Sequence, residues 1–367
     1  MRALWLVRKN LNTRPGGDTT QILRTQEALE QRGVSVTLCS DRLPPYDSHD
    51  VVHLFHLDRI WENMRWVDQI QSRQVPAVLS PIYWPTHEYD QLGRKGFQGV
   101  LSRNLGPMHY AGLRALQHAG LSALKQKDAS LVQFNLFHFK AHVQKILNSV
   151  DLLLPNSLSE QIQIEDYFGP ETKSLVVPNA ADLSTFRLAP KQCGQRSKKV
   201  ICVGRIEPRK NQLALIRALS GTSTQLAIVG EPGRFGHGYA RRCYKEAGPN
   251  VTFHRWQPAR ALARYYSEAQ VHACPSWYET PGLASLEAAA SGCHLVLTDR
   301  GATREYFGEE ADYCDPNDTD SIRDAIQKAL TRETPPSLWD KVSETYTWKQ
   351  TGQRTQNAYA TVLGSSN

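Results

Sequence analysis

The sequence predicts an α/β protein built from two doubly wound domains that face each other across a cleft. Short β-branched and aliphatic runs alternate with helical patterns almost throughout, which is the pattern of parallel sheets covered by helices. The chain of 367 residues is too long for one core of ordinary size, so two domains are expected. A polar stretch without periodicity, LAPKQCGQRSKK at 188–199, separates two halves with the same rhythm and reads as a linker. These observations divide the chain into a first domain at 1–187, the linker at 188–199, a second domain at 200–340 and a C-terminal helix at 341–367.

In the first half the strand candidates are RALWLV, VSVTLCS, VVHLFH, PAVLS, DLLLPNS and SLVVP. RPGGDTTQILRTQEALEQRG, between the first two, reads as a glycine turn followed by a helix. The second half repeats the rhythm with KKVICVGR, TQLAIVG, VTFHRW, VHACPS and HLVLT. The tail from Ser337, ending in WKQTGQRTQNAYATVL, is rich in helix formers and predicts one or two closing helices.

Composition narrows the class. Hydrophobic residues at 40% and charged residues at 22% are globular values, which excludes a disordered or fibrous chain. MRALWLVRKN has too short an apolar run for a signal peptide, and no stretch approaches the roughly 18 apolar residues of a membrane span. A cytoplasmic location is expected. The seven cysteines sit singly in apolar contexts, as in VTLCS and VHACPS, and read as reduced core residues. The segment from Gln91 to Ser149 holds eight Lys and Arg against one acid, Asp128. Solvated helix faces explain this most simply. A surface for an anionic acceptor, or for lipid headgroups at the inner face of a membrane, is the sharper reading. Nucleic acid is not expected, because no binding motif accompanies the charge.

Two motifs carry chemistry. VICVGRIEPRKNQLALIRAL reads as a strand ending in Gly204, a loop bearing Arg205 and Lys210, and a helix beginning near Asn211, a favoured cap. An anion there would meet two cations and free backbone N–H groups. SWYETPGLASLEAAASG, at 276–292, places Glu279 in a loop and Glu287 in a helix whose cap and first residue are read as Thr280 and Pro281. Glu287 would share a small-residue face with Leu283, Ala284, Ala290 and Ser291. A buried carboxylate needs donors, which the vicinal hydroxyls of a ribose can supply. An exposed Glu279 and a Glu287 paired with a buried arginine are the bland alternatives.

Together the two motifs resemble the C-terminal half of the retaining glycosyltransferases of the GT-B fold, family 4 type, also called glycosyl transferases group 1. The resemblance continues through VVPNAADLSTF, AIVGE, TDRGATREYF and YCDPND, and covers about residues 150–332. It implies two Rossmann-like domains, with C-terminal helices closing back on the N-terminal one. It also implies that Arg205 and Lys210 bind a donor diphosphate, that Glu287 holds the ribose, and that Glu279 binds the transferred sugar. Gly204, Pro281, Gly282 and Leu283 would shape the phosphate site, and His254, Arg255 and Trp256 would lie near the base. In the first half RPGGDTT resembles the family's glycine loop, with Gly16 and Gly17 toward the donor. The family's histidine after the fourth strand is matched late, by His87, so Tyr83, Trp84, His53 and His56 are alternatives for its place.

The implied activity is transfer of a sugar from a UDP- or GDP-sugar co-substrate to a glycan or lipid-linked acceptor in surface polysaccharide synthesis, without cofactor or metal. Asp318 and Asp320 match an Asp-x-Asp metal pattern, but capping of SIRDAIQKAL explains them more simply. A sugar-nucleotide epimerase and a non-catalytic glycan- or lipid-binding protein are the rivals. A nicotinamide oxidoreductase is disfavoured, because no strand is followed by GxGxxG.

Overall fold

The computed structural model describes residues 1–13, 15–126, 138–186, 197–233, 236–280, 282–332 and 335–364. The chain forms two compact units. The first comprises residues 1–87, 95–178 and 348–367, and the second residues 88–94 and 179–347. The linker expected at 188–199 lies outside the described residues up to 196, and its last three residues begin strand β6 instead.

In the first unit β1 (Arg2–Leu6), β2 (Ser35–Cys39), β3 (Val51–Phe55), β4 (Ala77–Ser80) and β5 (Leu152–Leu153) form one sheet in the order β2-β1-β3-β4-β5. All described pairs are parallel. β3 and β4 are buried at every position, as expected of parallel strands covered on both faces. The covering helices are α1 (Gly17–Glu30), α2 (Ile60–Arg73), α3 (Phe97–Asn104), α4 (Pro107–Gln126), α5 (Phe139–Leu147) and α6 (Leu158–Phe168). SLVVP does not become the expected sixth strand. Ser174 makes a single bridge to Leu153, and Val177 N donates to the Pro155 carbonyl. Pro155 and Pro178 have no N–H to continue a ladder.

The second unit contains β6 (Ser197–Val203), α7 (Gln212–Ala218), β7 (Gln225–Val229), α8 (His237–Glu246), β8 (Val251–His254), α9 (Ala259–Glu268), β9 (Ala269–Cys274), α10 (Leu283–Ala290), β10 (His294–Thr298), α11 (Thr303–Phe307), β11 (Asp312–Cys314), α12 (Thr319–Leu330) and α13 (Pro336–Thr345). Its sheet order is β11-β10-β9-β6-β7-β8. β11 was not expected: three residues opening on an aspartate are too short to show a period. The Asp318 carboxylate accepts from Asp320 N at 2.8 Å, so this pair caps α12, as the simpler reading holds.

The C-terminal segment divides. α13 packs Leu338 and Val342 into the core of the second unit, whereas α14 (Trp348–Gly364) belongs to the first unit and lies against α1. A Cβ at Gly352 would sit 2.8 Å from Ala28 Cβ, so the missing side chain sets how closely the two helices approach. The buried Tyr359 hydroxyl joins α14 to the sheet, 2.9 Å from Trp5 Nε1 and 2.7 Å from His53 Nδ1. His53 Nε2 lies 2.9 Å from Ser80 Oγ. His53 is thus a satisfied core histidine and not a site residue. The six described cysteines are free and buried.

Burial lowers the pKa of His53 to about 3, and burial together with the nearby Lys210 charge does the same to His272. In the unfolded chain both histidines gain protons below about 6.5, whereas the folded protein leaves them neutral until about 3. The unfolded state therefore binds more protons in this window, and stability falls as pH drops through it. Urea midpoints should decline from pH 7 to pH 4, and a flat profile would contradict the burial of two neutral imidazoles.

Candidate active site

In a doubly wound sheet, ligands bind outside the carboxyl ends of the strands where the strand order reverses. In the second unit that point lies between β6 and β9, and both motifs singled out in the sequence reach it. Gly204 follows β6 with φ 146°. Gly230 follows β7 with φ 152°, and a Cβ there would lie 2.0 Å from the Gly204 carbonyl oxygen. Only glycine permits this approach. A tight turn, Pro208–Lys210, then carries Arg209 and Lys210. Asn211 is the residue before α7, as expected, but its side chain forms no cap bond. It sits at φ 59° and donates to the Pro316 carbonyl at 2.7 Å, anchoring the loop.

After β9 the chain delivers Glu279 to the same point. Its side chain is buried, with the residue only 4% exposed, so the exposed-acid alternative is excluded. Lys210 Nζ donates to Glu279 Oε1 at 2.6 Å, and Arg209 Nη1 lies 3.6 Å from the same oxygen. Arg209 Nη1 also donates to the Tyr278 carbonyl at 3.0 Å, and Nη2 to Glu207 Oε1 at 3.2 Å. Trp277 N donates to the Arg209 carbonyl at 2.8 Å. Burial alone would raise the Glu279 pKa; the Lys210 ammonium and the Arg209 guanidinium overcome it and bring it down to about 2. This contribution to stability is complete above the ordinary carboxyl value and is lost as pH falls through about 2.

Glu279 is held from behind by its backbone. Ala302 N donates to the Glu279 carbonyl at 2.9 Å, and a Cβ at Gly301, whose φ is 95°, would lie 2.1 Å from that oxygen. Gly301→Ala must therefore displace the loop. We expect a loss of about 1–3 kcal/mol in urea unfolding, and an unchanged midpoint would contradict the close packing.

α10 begins later than the sequence suggests. Gly282, at φ 84°, is the residue before the helix, and its carbonyl accepts from Ser285 N and Leu286 N. Thr280 is therefore not the cap, and Pro281 lies outside the described residues. The N–H groups of Leu283 and Ala284, at the start of the first turn, are among those a helix leaves unbonded internally. Glu287 is half-buried and not buried. The helix turns Ser285, Leu286, Ala288, Ala289 and Ala290 into the protein and leaves Leu283, Ala284 and Glu287 on its half-open side.

The other expected residues are distributed as follows. Arg205 is 60% exposed at its side chain and lies 3.8 Å from Glu207, the carboxylate that also holds Arg209. Arg255 and Trp256 are exposed past the end of β8, two strands from β6, with Arg255 Nε 2.7 Å from Glu231 Oε1. His254 is near the Tyr265 hydroxyl, at 3.3 Å. In the first unit Gly16 precedes α1 in an extended conformation, and Gly17 opens the helix. His87 Nδ1 is 3.0 Å from the Tyr167 hydroxyl. Tyr83 packs against Phe168, and its N–H donates to the buried Glu160 at 2.6 Å; Trp84 is half-buried. His56, buried with φ 69°, lies 3.2 Å from Asp18, which also accepts from Arg8 at 2.6 Å.

Arg209 and Gly301 also belong to this site and are not marked by either motif. The only signal for Arg209 is the doubled cation in PRKN, and basic loop residues are normally solvated. Among the described residues no three His, Cys, Asp or Glu side chains gather as a metal site.

Residues 189–345 match the family of glycosyl transferases group 1. The D-inositol 3-phosphate glycosyltransferase of Nocardia farcinica is 30% identical over 331 residues, spanning 78% of this chain and 70% of that protein. The chain belongs to this family. A protein of the same name from Kribbella flavida is 25% identical over 330 residues, 80% of this chain and 78% of its own length. Two solved structures share the fold of this glycosyltransferase. Sucrose-phosphate synthase from Thermosynechococcus elongatus has a TM-score of 0.74 at 17% identity and 99% coverage of both chains. HepE of Anabaena, in complex with UDP and glucose, has a TM-score of 0.70 at 13% identity, covering 98% of this chain and 99% of its own. The two sheets are thus the Rossmann-like domains of a GT-B enzyme.

Proposed function

We propose that this glycosyltransferase is a retaining, metal-independent hexosyltransferase that uses a nucleotide-diphosphate sugar, UDP- or GDP-linked. The acceptor in this reading is a glycan or a lipid-linked oligosaccharide of surface polysaccharide synthesis. The observation that carries the donor half is the Lys210–Glu279 pair at the β6–β9 switch point, with the exposed Arg205 on the same loop as Lys210 and Glu287 on the half-open face of α10. A cation next to a crevice stabilises charge that grows on a leaving diphosphate. Lys210 and Arg205 would bind that diphosphate, Gly282 and Leu283 would offer N–H groups, Glu287 would take the ribose hydroxyls, and Glu279 would orient the sugar. HepE, solved with UDP and glucose, supports the donor class. No carboxylate is assigned as a covalent nucleophile. Same-face displacement follows, with the leaving phosphate taking the acceptor proton. His87 is proposed near the transferred sugar.

A panel of nucleoside diphosphates and their sugars, read by thermal unfolding, tests the donor site. Ligand at about 100 times its Kd stabilises the folded state by about 2.7 kcal/mol. The midpoint should rise with UDP or GDP and should no longer rise in Arg205→Ala; no shift with any nucleotide would sink the donor model. The names of the relatives point to a phosphorylated inositol as their acceptor, so inositol phosphates belong in the acceptor screen beside lipid-linked sugars.

The basic segment supports peripheral contact with an anionic membrane, and α3 is the proposed point of contact. This helix turns Gly99 and Ser102 inward and leaves Phe97 80% and Val100 51% exposed, with Lys95 and Arg103 exposed beside them. No acid occurs between residues 91 and 127. Apolar residues flanked by cations suit the headgroup region of a bilayer. No described helix is long and apolar enough to cross a membrane. The enzyme should sediment with phosphatidylglycerol vesicles and not with phosphatidylcholine, and Phe97→Ser with Val100→Ser should reduce this about tenfold. Equal binding to both vesicles, or to neither, would remove the membrane reading.

A further inference from the structure

A second cation, the partly buried Arg209, stands beside Glu279 together with Lys210. Arg209 cannot itself turn to a ligand. Its Nη1 is held by the Tyr278 carbonyl at 3.0 Å, its Nη2 by Glu207 at 3.2 Å, and its own carbonyl by Trp277 N at 2.8 Å. The guanidinium also lies over the Tyr278 ring, 5.1 Å from its centre. Yet Nη1 stands 3.6 Å from Glu279 Oε1, the oxygen that Lys210 contacts at 2.6 Å. If Lys210 left that oxygen to meet an anion, Glu279 without another cation would become a buried, uncompensated charge, and its desolvation cost would be subtracted from the affinity of the anion.

We infer that Arg209 is a positioning residue that keeps the countercharge of Glu279 in place, so that Lys210 is free to exchange its carboxylate for the donor diphosphate. The inference rests on the donor reading above. Arg209 is fixed by its bonds to the Tyr278 carbonyl and to Glu207, and Lys210, on a flexible four-carbon stem, is the partner that can move. A single buried carboxylate thus has a permanent cation and an exchangeable one.

The test is a double-mutant cycle read as affinity for UDP and GDP by calorimetry, in the full chain and its Arg209→Gln, Glu279→Gln and doubly substituted variants. Coupling between adjacent charged groups of 0.5–3 kcal/mol corresponds to about 2- to 150-fold in affinity. Arg209→Gln should weaken nucleotide binding by about 10- to 100-fold when Glu279 is present and by less than about threefold when Glu279 is glutamine. Equal loss in both backgrounds would overturn the inference, because Arg209 would then touch the ligand or merely support the loop. No loss in either would overturn it as well. If Arg209→Gln fails to fold, Arg209→Lys carries the same cycle, since lysine keeps the charge but not the fork that fixes it beside Glu279. Binding to the unsubstituted chain reports separately on the donor site. If neither UDP nor GDP binds there, the donor reading falls and this inference with it; if they bind and the cycle shows no coupling, only the inference falls.

Discussion

Lys210→Ala should lower kcat/KM by about 10²- to 10³-fold, the range found when one preorganised group facing developing charge is removed. The ammonium lies 2.6 Å from Glu279 Oε1 and is largely buried, so water replaces it poorly. The substitution leaves Glu279 with Arg209 at 3.6 Å as its nearest cation among the described residues. Part of the loss is therefore expected in stability, up to about 3 kcal/mol, below the full cost of breaking an isolated buried pair. Steady-state kinetics with the responding sugar nucleotide, together with urea unfolding, separate the two. A fall in kcat with an unchanged fold places Lys210 at the leaving group; a kcat/KM within tenfold of the starting enzyme would remove it from there.

Tyr359→Phe should destabilise the first unit by about 2–4 kcal/mol, because two buried partners lose one hydroxyl and each unmet buried group costs about 1–3 kcal/mol. Tryptophan N–H can only donate, so Trp5 gives its proton to the Tyr359 oxygen. For every group to be satisfied, the Tyr359 O–H donates to His53 Nδ1, and His53 Nε2–H donates to Ser80 Oγ. Phenylalanine fills the same volume and breaks this chain in the middle. Thermal or urea unfolding measures the effect, and a change below about 0.5 kcal/mol, typical of surface sites, would show that the hydroxyl does not join α14 to the sheet. The network fixes a helix from the end of the sequence against strands from its beginning, so loss of α14 should be at least as damaging.

The strands of both sheets were legible because parallel strands buried on both faces are written as continuous apolar runs: VVHLF, AVLS and HLVLT each coincide with a strand buried at every position. β11 escaped this reading, being three residues long. SLVVP was overread, since an apolar run says nothing about whether its neighbours can donate. For the site, the spacing of Arg205, Lys210, Glu279 and Glu287 is visible in the sequence, but which carboxylate is enclosed is not. Glu287 was expected inside and is half-buried, whereas Glu279 was placed in a loop and is the enclosed carboxylate. Helical periodicity gives neighbours on a face; which face meets the core depends on the elements packed against it, here β9, β10 and α13.

The sequence by itself determined the class of sheet, most of its strands, the family resemblance and the residue types available for binding an anion. These are local or one-dimensional properties, set by hydrophobic runs, glycines and spacing. Only the tertiary structure decided that Arg209 stands beside Glu279, that Gly301 presses on the same loop, and that the Tyr359 hydroxyl closes on Trp5 and His53. Each joins segments about 20 to 350 residues apart, and a hydrogen bond or ion pair between such segments depends on ångström-scale placement that a pattern of residue types does not contain.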